Sequence, residues 1–246
     1  MRAMKNRQRT TIRRLRHGWR LGASCTLCTV CTLASTGARA AGHFDVDDAG
    51  TLDPGQCQYE TWWGRTGVEP VTGFHIGPSC RVGPVELGLN VDRLSVQGVH
   101  SITAGPQLKW TFLGQAADAP LSAAVSMGTV SDLRRGGRMG GQFVVPVTWR
   151  LAANLQIHAN LGADWALGTG LRTPRGGLAA EWALDDAVSV IAERNRASGA
   201  WTSRIGGRFS LTPLISVDIS ASRTRPPGGR GVTGFVVGLN HEFTWK

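Results

Sequence analysis

From residue 56 to the C terminus, apolar and polar residues take turns. Val85, Leu87, Leu89 and Val91 are interleaved with Glu86, Gly88, Asn90 and Asp92, and Leu155, Ile157, Ala159, Leu161 and Ala163 with Gln156, His158, Asn160, Gly162 and Asp164. A period of two places one set on each face of an extended strand. Twelve such segments are predicted: 56–64, 73–81, 85–92, 101–112, 120–129, 142–151, 155–165, 176–184, 188–193, 200–210, 214–222 and 233–245. Ten is the fallback, because 188–193 is short. No segment keeps a helical apolar period for three turns, and no apolar run reaches the roughly 20 residues of a membrane helix. Most segments are close to the roughly nine to eleven residues with which a tilted strand crosses a bilayer.

The connections predict the same architecture. Residues 65–72, 93–100, 130–141, 166–175, 194–199 and 223–232 form the longer set, whereas 82–84, 152–154, 185–187 and 211–213 are short, with 113–119 the exception. Short turns at one end and longer loops at the other suit an outer-membrane barrel. On the apolar face Trp63, Phe74, Phe143, Trp165, Trp201 and Phe235 fall at the long-loop ends of their segments. Trp110, Phe112, Trp149, Trp182, Phe209, Phe243 and Trp245 fall at the short-turn ends. Two aromatic girdles around an aliphatic band belong at headgroup level, so the apolar face is expected to meet lipid and the polar face to line a lumen. The expected fold is all-β: a transmembrane, antiparallel, up-and-down β-barrel of about 12 strands, occupying 56–246.

Charge first suggests a different partner and then withdraws it. The formal net charge is +10, but nine of the 27 Lys and Arg lie in residues 1–40, which contain no Asp or Glu. The remainder holds 18 basic against 17 acidic residues, so no nucleic-acid surface is expected. The basic stretch before Arg20, the uncharged run from Leu21 to Gly37 and the small residues of Ala38-Arg39-Ala40 read as a signal peptide over 1–40, cleaved after Ala40. Export by the general secretory route is expected over the twin-arginine route that Arg13-Arg14 raises, because the pair lacks the apolar residues that should follow it. Residues 41–55 are expected to be a solvated periplasmic N-terminal tail, and the location the bacterial outer membrane.

Cys25, Cys28 and Cys31 fall in the leader, leaving Cys57 and Cys80 as an even pair in an exported chain. If the first two strands pair so that Cys57 opposes Cys80, then Tyr59 opposes Pro78, Thr61 opposes Ile76 and Trp63 opposes Phe74. One register thus satisfies both the cysteines and the girdle, and a disulfide is expected across the first hairpin.

The stretch from Phe44 to Trp62, with its Asp47-Asp48-Ala49 segment, its Pro54-Gly55 turn and a first strand opening Cys57-Gln58-Tyr59-Glu60-Thr61-Trp62, resembles the mature start of a group of proteobacterial exported barrels. That group is similar to outer-membrane transporters, including those of the MetA pathway of phenol degradation. The resemblance implies an envelope channel or transporter and names no substrate.

Candidate chemistry lies on the polar face. Glu60, Glu86, Lys109, Arg150, His158, Glu181, Arg204, Arg208, Asp218 and Glu242 are candidate lumen charges, joined by Asp164 and Glu193. They either pair and plug the lumen or stay wet and set solute preference. Arg204 and Arg208 are expected to face Asp218. Glu60 and Glu242 are expected to form an acidic wall opposite a basic one at Lys109 and Arg150. Arg134, Arg135, Arg138, Arg172, Arg223, Arg225 and Arg230, with Arg93, Arg194 and Arg196, are expected in outer basic loops that contact lipid and lipopolysaccharide phosphates. Asp45, Asp47 and Gly50 match three positions of a calcium loop, but Ala49 and Gln56 stand where ligands are needed. No metal or cofactor is expected. No His and Ser stand two apart on one strand face, so an outer-membrane lipid-modifying enzyme ranks third. The expected function is passage of small solutes or ions, with a non-conducting structural or surface-interaction barrel as the alternative.

Overall fold

The computed structural model describes residues 43–67, 71–116, 118–134, 136, 139–166 and 168–245; the leader, its cleavage site, Arg135 and Arg138 lie outside them. Twelve strands form one closed antiparallel barrel: β1 (Gln56–Thr66), β2 (Val71–Val82), β3 (Val85–Val96), β4 (Val99–Leu113), β5 (Leu121–Asp132), β6 (Met139–Ala152), β7 (Leu155–Trp165), β8 (Arg172–Ala183), β9 (Val188–Ala197), β10 (Ala200–Thr212), β11 (Ile215–Arg225) and β12 (Val232–Thr244). Each pairs with its sequence neighbours, and β1 closes on β12 from Gln56 opposite Thr244 to Thr66 opposite Gly234. Closure leaves no edge strand with unpaired backbone groups, as a barrel in lipid requires.

Alternation decides what faces where. Leu161, Leu178 and Ile205 point outward and are 74%, 61% and 60% exposed, an apolar display suited to lipid. The opposite face holds buried Lys109, His158, Glu181, Arg208 and Asp218. The inside is thus the polar side.

The strands run longer than the hydrophobic pattern predicts, chiefly at the outer end. β9 extends to Ala197, which removes the ten-strand alternative. Two of the expected longer loops collapse to the two-residue turns Gln97-Gly98 and Ser198-Gly199, each with positive φ at both positions, the geometry that matches hairpin twist. Arg93, Arg172, Arg194, Arg196, Arg223 and Arg225 therefore stand on strands rather than in loops. The ladder continues past the lipid band, and a pattern read from apolar residues stops where that band stops.

The first hairpin takes the expected register. Cys57 opposes Cys80, Tyr59 opposes Pro78, Thr61 opposes Ile76 and Trp63 opposes Phe74. The two cysteines are disulfide-bonded, with Cα atoms 4.0 Å apart.

The largest departure concerns the segment before β1. Residues 43–55 do not form a solvated tail: His43, Phe44, Val46, Asp48, Ala49 and Leu52 are buried inside the barrel. The segment rises from the short-turn rim as a strap through the lumen. Asp45, Asp47 and Asp48 are not left in water because the inner wall supplies counter-charges to them.

Candidate functional site

The strap's attachments can be followed upward from β1. Near the rim, Leu52 N donates to Glu86 Oε2 on β3 at 3.1 Å, and Arg81 on β2 donates to Leu52 O at 2.8 Å. Above them Ala49 N donates to Thr148 Oγ1 on β6 (2.9 Å), while Thr111 Oγ1 on β4 donates to Ala49 O (2.7 Å). Lys109 Nζ then reaches Asp47 Oδ1 at 2.8 Å and Asp48 Oδ1 at 3.3 Å. With its amide turned to suit, Asn160 on β7 exchanges two hydrogen bonds with the Asp47 backbone, at 2.8 and 2.7 Å.

At mid-height the strap crosses to the far wall. Val46 N and Asp45 N donate to the two oxygens of Glu193 on β9, at 2.9 and 3.1 Å. Arg204 on β10 donates to Asp45 Oδ2 at 3.0 Å, lies 3.4 Å from Glu193, and also bonds the His43 carbonyl. His43 Nε2 meets Ser220 Oγ on β11 at 2.6 Å. Besides β1 to β3 the strap therefore bonds six strands, β4, β6, β7, β9, β10 and β11, and backbone groups that would otherwise be buried without partners are satisfied by side chains.

Strand glycines make the room. A Cβ on Gly177 would stand 2.7 Å from Val46 Cγ2, and one on Gly238 would stand 2.9 Å from His43 Nδ1. Both lie on lumen-facing positions.

The expected charge partners are partly redistributed. Arg208 faces Asp218 as expected, directly across the β10–β11 ladder, with Nε 2.8 Å from Oδ1 and Nη2 3.3 Å from Oδ2. Arg204 does not: it opposes Ser222 in that register and is taken by Asp45 and Glu193. Asp218 also accepts from Asn240 at 2.9 Å. His158 and Arg208 flank Glu181 at 3.6 and 3.9 Å, and His158 Nδ1 pairs with Thr148 Oγ1 at 2.9 Å. The basic wall expected at Lys109 is neutralised by strap carboxylates, so it does not oppose the acidic wall as a free charge. Glu242 opposes Gln58 and Glu60 opposes Asn240, which sets the two carboxylates on adjacent strands near the seam. Arg150 lies on β6 near the short-turn rim.

The strap does not fill the lumen. A cavity of about 410 Å³ lies beside it, lined along β1 to β4 from Glu86 up to Asp92 and continuing past Gln142 on β6 and Asn160 on β7 to Arg175 on β8. A smaller one of about 40 Å³ shares Gln58, Glu60, Glu86, Asn90, Gln107 and Lys109 with it. Together they make a polar lane beside the strap.

Several lining residues escaped the sequence reading. Arg175 falls in a predicted loop, and Trp62 is an aromatic residue on the polar face. Gln58, Asn90, Gln107 and Gln142 carry no charge to draw attention, although the period-two pattern places each on the lumen side. Asp45 and Asp47, the partial calcium-loop positions, are held by Arg204 and Lys109. Among the described residues no group of three or more His, Cys, Asp or Glu is arranged to hold a metal ion.

A family model described as "Uncharacterised conserved protein UCP029691" matches residues 29–223. No curated protein matches the sequence. Among solved structures, the chain is similar to a KdgM porin in complex with disordered oligogalacturonate (TM-score 0.57, 9% identity, covering 76% of this chain and 99% of that one). It is similar to an outer membrane channel from Pseudomonas putida F1 (0.58, 10%, 81% and 100%) and to the NanC porin (0.55, 9%, 74% and 98%). What is shared at such identities is the fold.

Proposed function

The chain belongs to this uncharacterised conserved family, and we propose that it is a porin-like barrel of the outer membrane, passing small polar solutes along the lane beside its strap. The observation that carries the reading is the lane itself. A lumen filled for strength alone would be packed on every side, whereas this one keeps a polar cavity of about 410 Å³ beside the strap, lined by residues from β1 to β8. The resemblance to exported barrels of the MetA-pathway type supports the same class of role.

The outer end suits a lipid surface rich in phosphate. Arg194 lies 4.9 Å and Arg196 5.9 Å from the ring centroid of Trp201, and Arg172 lies 6.0 Å from that of Trp165. Guanidinium groups laid on girdle aromatics are held at headgroup level, where they can pair with lipopolysaccharide phosphates.

Planar-bilayer recording of the purified protein tests the passage. Discrete conductance steps are expected. Protein that is folded and heat-modifiable on a gel yet gives no steps would instead establish the plugged structural barrel.

A further inference from the structure

The lane is acidic where the strap leaves it open. Its cations are engaged: Lys109 by Asp47 and Asp48, and Arg175 by Asp164 at 2.7 Å. Asp92 is held by His75 Nδ1 at 2.7 Å. Glu60 differs from these, because its carboxylate lines the cavity and forms no hydrogen bond or ion pair among the described residues. A half-buried carboxylate with no cation in direct contact is less well compensated than its neighbours, and a cationic ligand would supply the missing partner.

Two positions along β1 the cavity is lined by Trp62, an indole on the polar face of the barrel. Its ring is fixed. It lies nearly parallel to His75 on β2, with centroids 5.2 Å apart and planes 6° apart, and it fills the space over Gly73, where a Cβ would stand 3.1 Å from Trp62 Cζ3. An aromatic face beside a free carboxylate is the arrangement that holds an ammonium group, through the ring quadrupole on one side and charge on the other.

We propose that this cavity binds a small organic cation, its ammonium group held between the Glu60 carboxylate and the Trp62 indole. The inference deepens the passage reading, on which it rests for the cation's route to the site. The cavity's size is in the range that encloses a small ligand. The amide of Gln107, which accepts from Asn90 at 2.6 Å, gives the rest of such a molecule a polar surface without a competing cation. An anionic solute would meet like charge, and a neutral sugar would leave Glu60 uncompensated.

Calorimetric titration of the full-chain protein, folded in detergent, with choline chloride tests the site, with galacturonate and glucose as anionic and neutral controls. Saturable choline binding is expected, weakened about tenfold by Glu60→Gln and by Trp62→Leu and retained by Trp62→Phe. Gel heat-modifiability checks each fold, and Glu60→Gln alone carries the test if Trp62→Leu does not fold. Absence of choline binding, equal binding by Glu60→Gln, or equally tight galacturonate or glucose binding overturns the proposal. Conductance without choline binding refutes the site alone. Choline binding without conductance refutes the passage alone.

Discussion

Val46 lies against the inner wall because Gly177 has no side chain; a Cβ there would come within 2.7 Å of Val46 Cγ2 and within 3.0 Å of Asn195 Oδ1. Neither the backbone ladder of β8 nor the lipid face needs glycine at that point. Gly177→Val should therefore displace the strap while leaving the barrel intact. Limited proteolysis from the N terminus would become faster at unchanged gel heat-modifiability, and an unchanged cleavage rate would show that the strap does not depend on this contact.

Removing residues 43–52 should widen the lumen, since those residues occupy it from Leu52 at the rim to His43 at mid-height. Single-channel conductance several-fold above that of the intact protein is expected. Equal conductance would mean that the strap does not limit the passage.

Lys109→Ala removes the cation that Asp47 and Asp48 share beside the lane. Reversal potential in a KCl gradient should move toward cation preference, and replacing Arg150 as well should move it further. Because Lys109 is buried, and buried charges are screened much less than exposed ones, the shift should persist at salt levels that screen surface charges.

Arg208 and Asp218 are buried together, with Asp218 fully enclosed. Arg208→Ala strands that carboxylate and should cost about 3–5 kcal/mol of barrel stability, whereas Arg208→Met with Asp218→Leu should recover much of the loss. Urea unfolding midpoints of the two variants decide this, and equal midpoints would refute the coupling.

The Cys57–Cys80 link closes the first hairpin on the lipid face. Reduction, or Cys57→Ala with Cys80→Ala, should lower stability by about 3 kcal/mol in the chain-entropy account. Alkylation should find no free thiol at these two positions before reduction and two afterwards.

The barrel was legible in the sequence because membrane and lumen impose opposite chemistry on alternate residues, as Leu161 and Asn160 illustrate. The disulfide register was legible because Cys57 and Trp63 demand the same pairing. The strap was not, since Asp45, Asp47 and Asp48 read as solvated until their partners are known, and those partners sit on β4, β9 and β10. Two signals did point to it. Phe44, Val46 and Ala49 are interleaved with those acids, and Gly177 and Gly238 interrupt strands at lumen positions where nothing in the ladder requires a gap.

The strap also sets an order of events. It is joined to β1, yet His43 bonds Ser220 across a separation of 177 residues and Val46 bonds Glu193 across 147. Those partners belong to β9 and β11, among the last strands to be synthesised. A segment made before every strand of the barrel is therefore among the last to reach its place, and contacts of such separation form slowly. Until β9 to β11 are available, the strap's buried hydrogen bonds have nowhere to go, so it must wait in water while the wall that will receive it is made.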